Sequence, residues 1–198
     1  MQVTNLNFSR AESDALREQS FFLLKDSSTK KLVSMLGDLE KLLKDEFEKS
    51  GVGMETIKFQ AGKIFRGENY RLFPYIVLDY PRQFSTESIF AFRTMFWWGH
   101  EFSFTLHLQG NALDHFRKAI IMNRHLLLEK EIFFCVNESP WEYHFGNENY
   151  LHMEEISEER MMQNTSFIKL SKKLPVEKHN EIISIGVETF SLFMKILK

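Results

Sequence analysis

Residues 70–109 read YRLFPYIVLDYPRQFSTESIFAFRTMFWWGHEFSFTLHLQ. They hold twelve of the chain's 28 aromatic residues in a fifth of its 198 positions, so much of the core is expected here. Residues 89–98 and 102–108 are rich in aromatic and β-branched side chains, and Gly99-His100-Glu101 lies between them. That pattern predicts a β-hairpin. Phe102, Phe104, Leu106 and Leu108 alternate with Ser103, Thr105, His107 and Gln109, the period of a half-buried strand. In the first strand Phe90, Phe92, Phe96 and Trp98 share one face, and Ala91, Arg93, Met95 and Trp97 the other.

Burial decides the pairing. A slip by one residue carries every side chain across the sheet, so the two apolar sets must share a face. Pairing Trp98 with Phe102 across about three loop residues achieves this. It also predicts Arg93 opposite His107, Met95 opposite Thr105, and Trp97 opposite Ser103. Directly opposed side chains lie about 4.5–5.5 Å apart at Cβ.

Outward from the hairpin, the strands cluster in the middle and helices lie at both ends. Residues 9–50 read as helix, with Ser9 and Glu12 at capping-box positions and an interruption at Asp26-Ser27-Ser28. Leu16, Phe22 and Leu23 supply the apolar side of the first part. Leu32, Met35, Leu36, Leu39, Leu42, Leu43 and Phe47 do so in the second. Gly51 closes the helix. Strands are expected at 56–66, 73–80, 131–137 and 141–145, with a weak one at 167–170. Gly67-Glu68-Asn69 reads as a turn, and Pro81 as a strand end. Helices are expected at 112–130 and from Pro175 to about Leu197. This is an α+β pattern: one domain over residues 1–198, a mainly antiparallel sheet, and helices on one face.

Composition excludes several classes. A hydrophobic share of 43% suits one globular domain, and a net charge of -2 argues against nucleic acid. The RNP-like run of aromatics and glycine that a base-stacking sheet uses is also missing. Cys135 is the single cysteine, so no disulfide framework exists. With no signal-peptide core near Met1, a cytoplasmic location is expected. No apolar run approaches a membrane span of about 20 residues.

Few motifs carry chemistry. Gly51-Val52-Gly53 follows a helix rather than a strand and lacks the third glycine of a dinucleotide loop. Gly62-Lys63 lacks the P-loop frame. The seven histidines show no metal-ligand spacing, so neither metal nor cofactor is expected. Cys135 sits in the apolar run Ile132-Phe133-Phe134-Cys135-Val136, where thiols are usually inert.

The arginines are more specific. Arg66, Arg71 and Arg82 fall near strand ends, and Arg93 falls mid-strand. A guanidinium in a half-buried sheet needs partners. Asp79 supplies one answer, and a small anionic ligand supplies the other. The candidate site is therefore Arg93, His107, Trp97, Thr105 and Asp79, flanked by Arg82, Arg66 and Arg71. Three readings follow: first a binding or structural domain with an Arg-lined patch, then an enzyme on a small anionic substrate with His107 as acid/base, and last, against the charge balance, a sheet that stacks single-stranded nucleic acid on Arg93, Trp97 and Tyr75. Homo-oligomer formation is compatible with each.

The segments 66–70 (RGENY), 73–75 (FPY), 78–82 (LDYPR) and 93–99 (RTMFWWG) resemble small uncharacterised bacterial proteins of the Bacteroidetes type. The resemblance covers about a fifth of the chain and implies a source, not an activity.

Overall fold

A computed structural model describes residues 7–53, 58–163 and 166–198. The N-terminal helices are α1 (Arg10–Arg17) and α2 (Gln19–Ser50). Ser9 and Glu12 close a reciprocal capping box: the Ser9 amide donates to the Glu12 carboxylate at 2.7 Å, and the Glu12 amide to the Ser9 hydroxyl at 3.2 Å. The break falls at Glu18, whose carboxylate accepts the Ser20 and Phe21 amides and so caps α2. Asp26-Ser27-Ser28, expected to interrupt the helix, is carried inside it. Gly51, at φ 63°, ends it.

Among the described residues, seven strands follow the order β1-β2-β3-β4-β7-β5-β6, with every neighbouring pair antiparallel. They are β1 (Lys63–Tyr70), β2 (Phe73–Phe84), β3 (Ser88–Trp97), β4 (Glu101–Gly110), β5 (Phe133–Cys135), β6 (Tyr150–His152) and β7 (Phe167–Pro175). The helices α3 (Asn111–Met122), α4 (Glu158–Gln163) and α5 (Ile182–Ile196) complete the chain. The α+β class, the antiparallel sheet and the helical ends all hold.

Several boundaries differ from expectation. Gly67-Glu68-Asn69 belongs to β1, and the turn is Arg71-Leu72, both at positive φ (48° and 73°). Two left-handed residues match the twist of a two-residue hairpin, and the Asn69 side chain accepts the Leu72 amide at 3.2 Å. Pro81 does not end β2. The register shifts between Asp79 and Arg82, and that irregularity absorbs the residue that cannot donate. The first strand begins at Lys63, and positions 56 and 57 lie outside the described residues. The run at 131–137 pairs only over Phe133–Cys135, and 141–145 is not a strand. Residues 167–170 open a nine-residue strand seated between β4 and β5. The helix expected over 112–130 stops at Met122, and a 3-10 turn at Val176–Glu181 separates Pro175 from α5.

The central hairpin keeps its faces but slips by two. Phe96 pairs with Phe102, Arg93 with Thr105, Met95 with Ser103, and Ala91 with His107. Trp98 is taken into the turn, where Gly99 sits at φ 76° and the His100 amide donates to the Trp97 carbonyl at 3.0 Å. A shift of two preserves the side-chain alternation, so burial alone fixes the parity and not the pairing.

One face of the sheet meets the helices. Phe90, Phe92, Phe104, Leu106, Leu108, Ile168 and Leu170 pack there against Leu36, Leu39 and Leu43 of α2, Leu113 and Phe116 of α3, and Phe190 and Phe193 of α5. Gly186 lets α5 settle closely: a Cβ there would lie 2.9 Å from the Phe104 ring and 3.1 Å from Leu39. Leu16, Phe22 and Leu23, expected on a packed face, are instead exposed.

Phe104 is fully buried between sheet and helices. Phe104→Ala is expected to cost about 3–5 kcal/mol in urea unfolding, from lost burial and the cavity left behind. A loss under about 1 kcal/mol would place that ring outside the core.

Candidate functional site

The second face of the sheet carries polar side chains in rows. Asp79 pairs with Arg93, Arg93 with Thr105, and Thr105 with Ser171, so these four side chains line up across four strands. In the next row Ala91 pairs with His107 and His107 with Lys169. No described helix covers this face. The segment 136–149 lies over it, bringing Tyr143 and His144 against the sheet. Asp79, Thr105, His107, His144, Asn149, Lys169 and Ser171 are all buried.

Arg93 has every arm of its fork engaged. Nε donates to Asp79 Oδ1 at 2.7 Å and Nη2 to Asp79 Oδ2 at 2.8 Å, while Nη1 donates to the Tyr143 hydroxyl at 2.8 Å. Its guanidinium also lies 4.9 Å from the Tyr143 ring centroid. Burial, the largest single influence, would lower its pKa, but the Asp79 hydrogen bonds together with the Tyr143, Asp79 and Tyr75 charges outweigh it and hold the guanidinium above the ordinary value. Asp79 and Tyr143 thus take a donor from each of the three guanidinium nitrogens, three of its five N–H groups.

Lys169 is fully buried two residues from Ser171 on β7. Its Nζ donates to the backbone carbonyls of Pro140 at 2.7 Å and Glu142 at 2.6 Å, and lies 4.1 Å from the Tyr143 ring centroid. The ammonium therefore pins the overlying segment from below. Burial pulls its pKa down to about 8, and the Arg93 charge acts in the same direction. His107 lies beside it. Burial, then the Lys169 and Arg93 charges, push its pKa down to about 3. Burial is the larger cause, and the neighbouring charges add to it. An imidazole this weakly basic does not take up a proton near neutral pH, so His107 is a poor general base. Its Nε2 is buried with no hydrogen-bond partner among the described residues.

The rim stitches the same segment to the β1–β2 end. The Tyr70 hydroxyl accepts the Tyr143 amide at 2.7 Å and the His144 amide at 3.1 Å. Arg71 pairs with Glu142 at 3.3 Å. The Asn149 side chain donates to the His144 carbonyl at 2.6 Å. Burial raises the Cys135 thiol, which lies 3.5 Å from Asn149 Oδ1, and pushes the Tyr143 phenol up to about 12. A thiol held protonated is a poor nucleophile.

The expected site is therefore brought together in part. Arg93, Asp79 and Thr105 share one row, and His107 stands diagonally to Arg93 rather than opposite it. Trp97 lies on the same face, but its indole N–H donates to the Tyr70 carbonyl at 3.1 Å and its ring stacks on His100. Arg82 shares the register row of His107 but donates to the Ala61 carbonyl at 2.8 Å. Arg71 sits at the rim. Arg66 faces the helix side, in a cleft of about 200 Å³ with Lys25, Tyr75 and Trp98. The four arginines thus form no common patch.

Lys169, Ser171 and Tyr143 were missed. The alternation of Phe167, Lys169, Ser171 and Lys173 against Ile168, Leu170 and Leu174 signals that Lys169 and Ser171 share a sheet face. Nothing local to Tyr143 signals its role, because it reaches Arg93 from an irregular segment 50 residues away in sequence. No group of three or more His, Cys, Asp or Glu suited to a metal ion occurs among the described residues. No described helix is long and apolar enough to cross a membrane. No family model, curated protein or solved structure matches the chain.

The low pKa of His107 has a measurable sign. Between pH 6.5 and about 3 the unfolded chain binds a proton there that the folded chain does not. Its contribution is thus complete above pH 6.5 and is lost as pH falls through about 3, on the order of 5 kcal/mol in all. His107→Gln is expected to flatten the acid limb of stability against pH over that window. Parallel limbs for the two proteins would show that the imidazole is not held neutral.

Proposed function

We propose that this protein is a non-catalytic binding domain, and that the polar layer on the second sheet face is a structural lock for segment 136–149. The engagement of all three Arg93 nitrogens by Asp79 and Tyr143 carries this reading. An anion entering here must displace a bidentate carboxylate in a buried setting. The other chemical groups point the same way. His107 is too weak a base, Cys135 is held protonated, and Lys169 is directed at two backbone carbonyls. The small-anion enzyme reading therefore loses the residues it relied on. Binding is assigned to the outer surfaces, where apolar side chains stand exposed. A lone buried thiol fits the reducing cytoplasm.

Two measurements test the lock. Arg93→Ala is expected to destabilise the protein by about 3 kcal/mol or more, because it leaves Asp79 buried and unpaired. Phosphate, sulfate and small carboxylates should raise the Tm of the native protein no more than matched chloride does. Saturable stabilisation by one of these anions, lost in Arg93→Ala while stability stays within about 1 kcal/mol, would restore the ligand site.

Lys169→Met removes the pin without adding bulk. Amide hydrogen exchange in segment 136–149 should then accelerate while β3 and β4 stay protected, since local opening needs only that segment's own contacts. Unchanged exchange in that segment would show that Lys169 does not hold it.

A further inference from the structure

The first part of α2 carries a run of apolar residues that stand exposed among the described residues. Its first buried residue is Thr29. Before that, Phe21, Phe22, Leu23 and Leu24 are 54%, 59%, 71% and 65% exposed, and Leu16 on α1 is 69% exposed. Four successive residues at 100° intervals surround the helix, and a turn that is apolar all round is normally enclosed. The ion pair of Lys25 with Glu68 at 3.1 Å ties the base of this arm to β1.

A groove that fits this turn lies on the same helix. Ser28, Leu32 and Met35 of α2, with Phe96, Trp98, Phe102 and Val176, line an apolar trough of about 320 Å³. Phe21 and Leu24 continue the stripe of Ser28, Leu32 and Met35, at helical spacings of three and four. The exposed turn and the open groove are thus two halves of one stripe, with the small residues Ser27 and Ser28 between them. Small residues at a crossing let two helices approach closely, toward the lower end of the 8–10 Å usual between axes.

We propose that two copies of this chain pair antiparallel along this stripe, about a two-fold axis near Ser28. Phe21 and Leu24 of each copy then fill the groove formed by Leu32, Met35, Trp98 and Phe102 of the other. Such a contact is isologous and closes at two copies. At about 100 Å² each, Phe21 and Leu24 of both copies and the groove walls they cover come to about 800 Å², the size of a weak, concentration-dependent contact. The pairing lies on the helix side and does not depend on the state of the Arg93 layer.

Light scattering on the full chain gives the test. The native protein is expected to rise toward twice its 23.5 kDa chain mass across the micromolar range, and Phe21→Asp with Leu24→Asp to keep the single mass. Both substitutions fall on exposed positions, so far-UV circular dichroism should stay unchanged. Ser28→Cys in a Cys135→Ser background should form an interchain disulfide under mild oxidation. A native protein that is monomeric throughout, or a dimer that survives the double substitution, overturns the proposal. Loss of the dimer without cross-linking through position 28 overturns the two-fold geometry. A monomer that sediments with neutral phospholipid vesicles assigns the turn to a lipid surface instead. None of these outcomes bears on anion binding at Arg93, so the two readings fail separately.

Discussion

An arginine in the middle of a strand buried on both sides must have its charge answered where it stands. Arg93 occupies that position, and Asp79 answers it from the adjacent strand at 2.7 Å and 2.8 Å. Separating a buried pair costs far more than forming it gains, because the orphaned charge remains in a poor dielectric. The pair therefore fixes the register of β2 against β3 and creates the need for a third partner. Tyr143 is that partner, and it can be supplied only if segment 136–149 crosses the face. Lys169 repeats the arrangement one row away, with two backbone carbonyls as its answer. The second layer of this fold is thus an irregular segment held by charge-assisted hydrogen bonds, where a more common α+β fold leaves that face to water.

The two faces of the sheet follow different rules, and the sequence reveals them unequally. On the helix side, the alternation of Phe102, Phe104, Leu106 and Leu108 carries the whole message, because apolar area has no preferred direction. Such a message survives errors of two residues, which is why the parity of the hairpin was legible and its pairing was not. On the other side the structure depends on directed bonds between residues far apart in the chain. Asp79 was legible as the partner of Arg93 because adjacent strands bring them together. Tyr143 was not, since it lies in a segment whose path follows from contacts rather than from periodicity.

The same contrast explains the N-terminal helix. Leu16, Phe22 and Leu23 have the composition of a packed face, and composition does not say against what. The break at Glu18 rather than at Ser27-Ser28 has a local cause: a carboxylate there accepts two free amides, while serines inside a long helix can bond back to its carbonyls.

The strand order also has a consequence for synthesis on the ribosome. The strands β1 to β4 form a meander whose pairings are all local, so they can assemble while the rest of the chain is still being made. The next neighbour of β4 is β7, which begins at Phe167, after α3, β5, β6 and α4. Until it arrives, the outer edge of β4 offers unpaired backbone groups beside Phe102, Phe104 and Leu106. The ring of Phe104 stays open until α5 brings Gly186 over it. A nascent chain of this order thus carries its most aggregation-prone edge for the time needed to translate more than fifty residues.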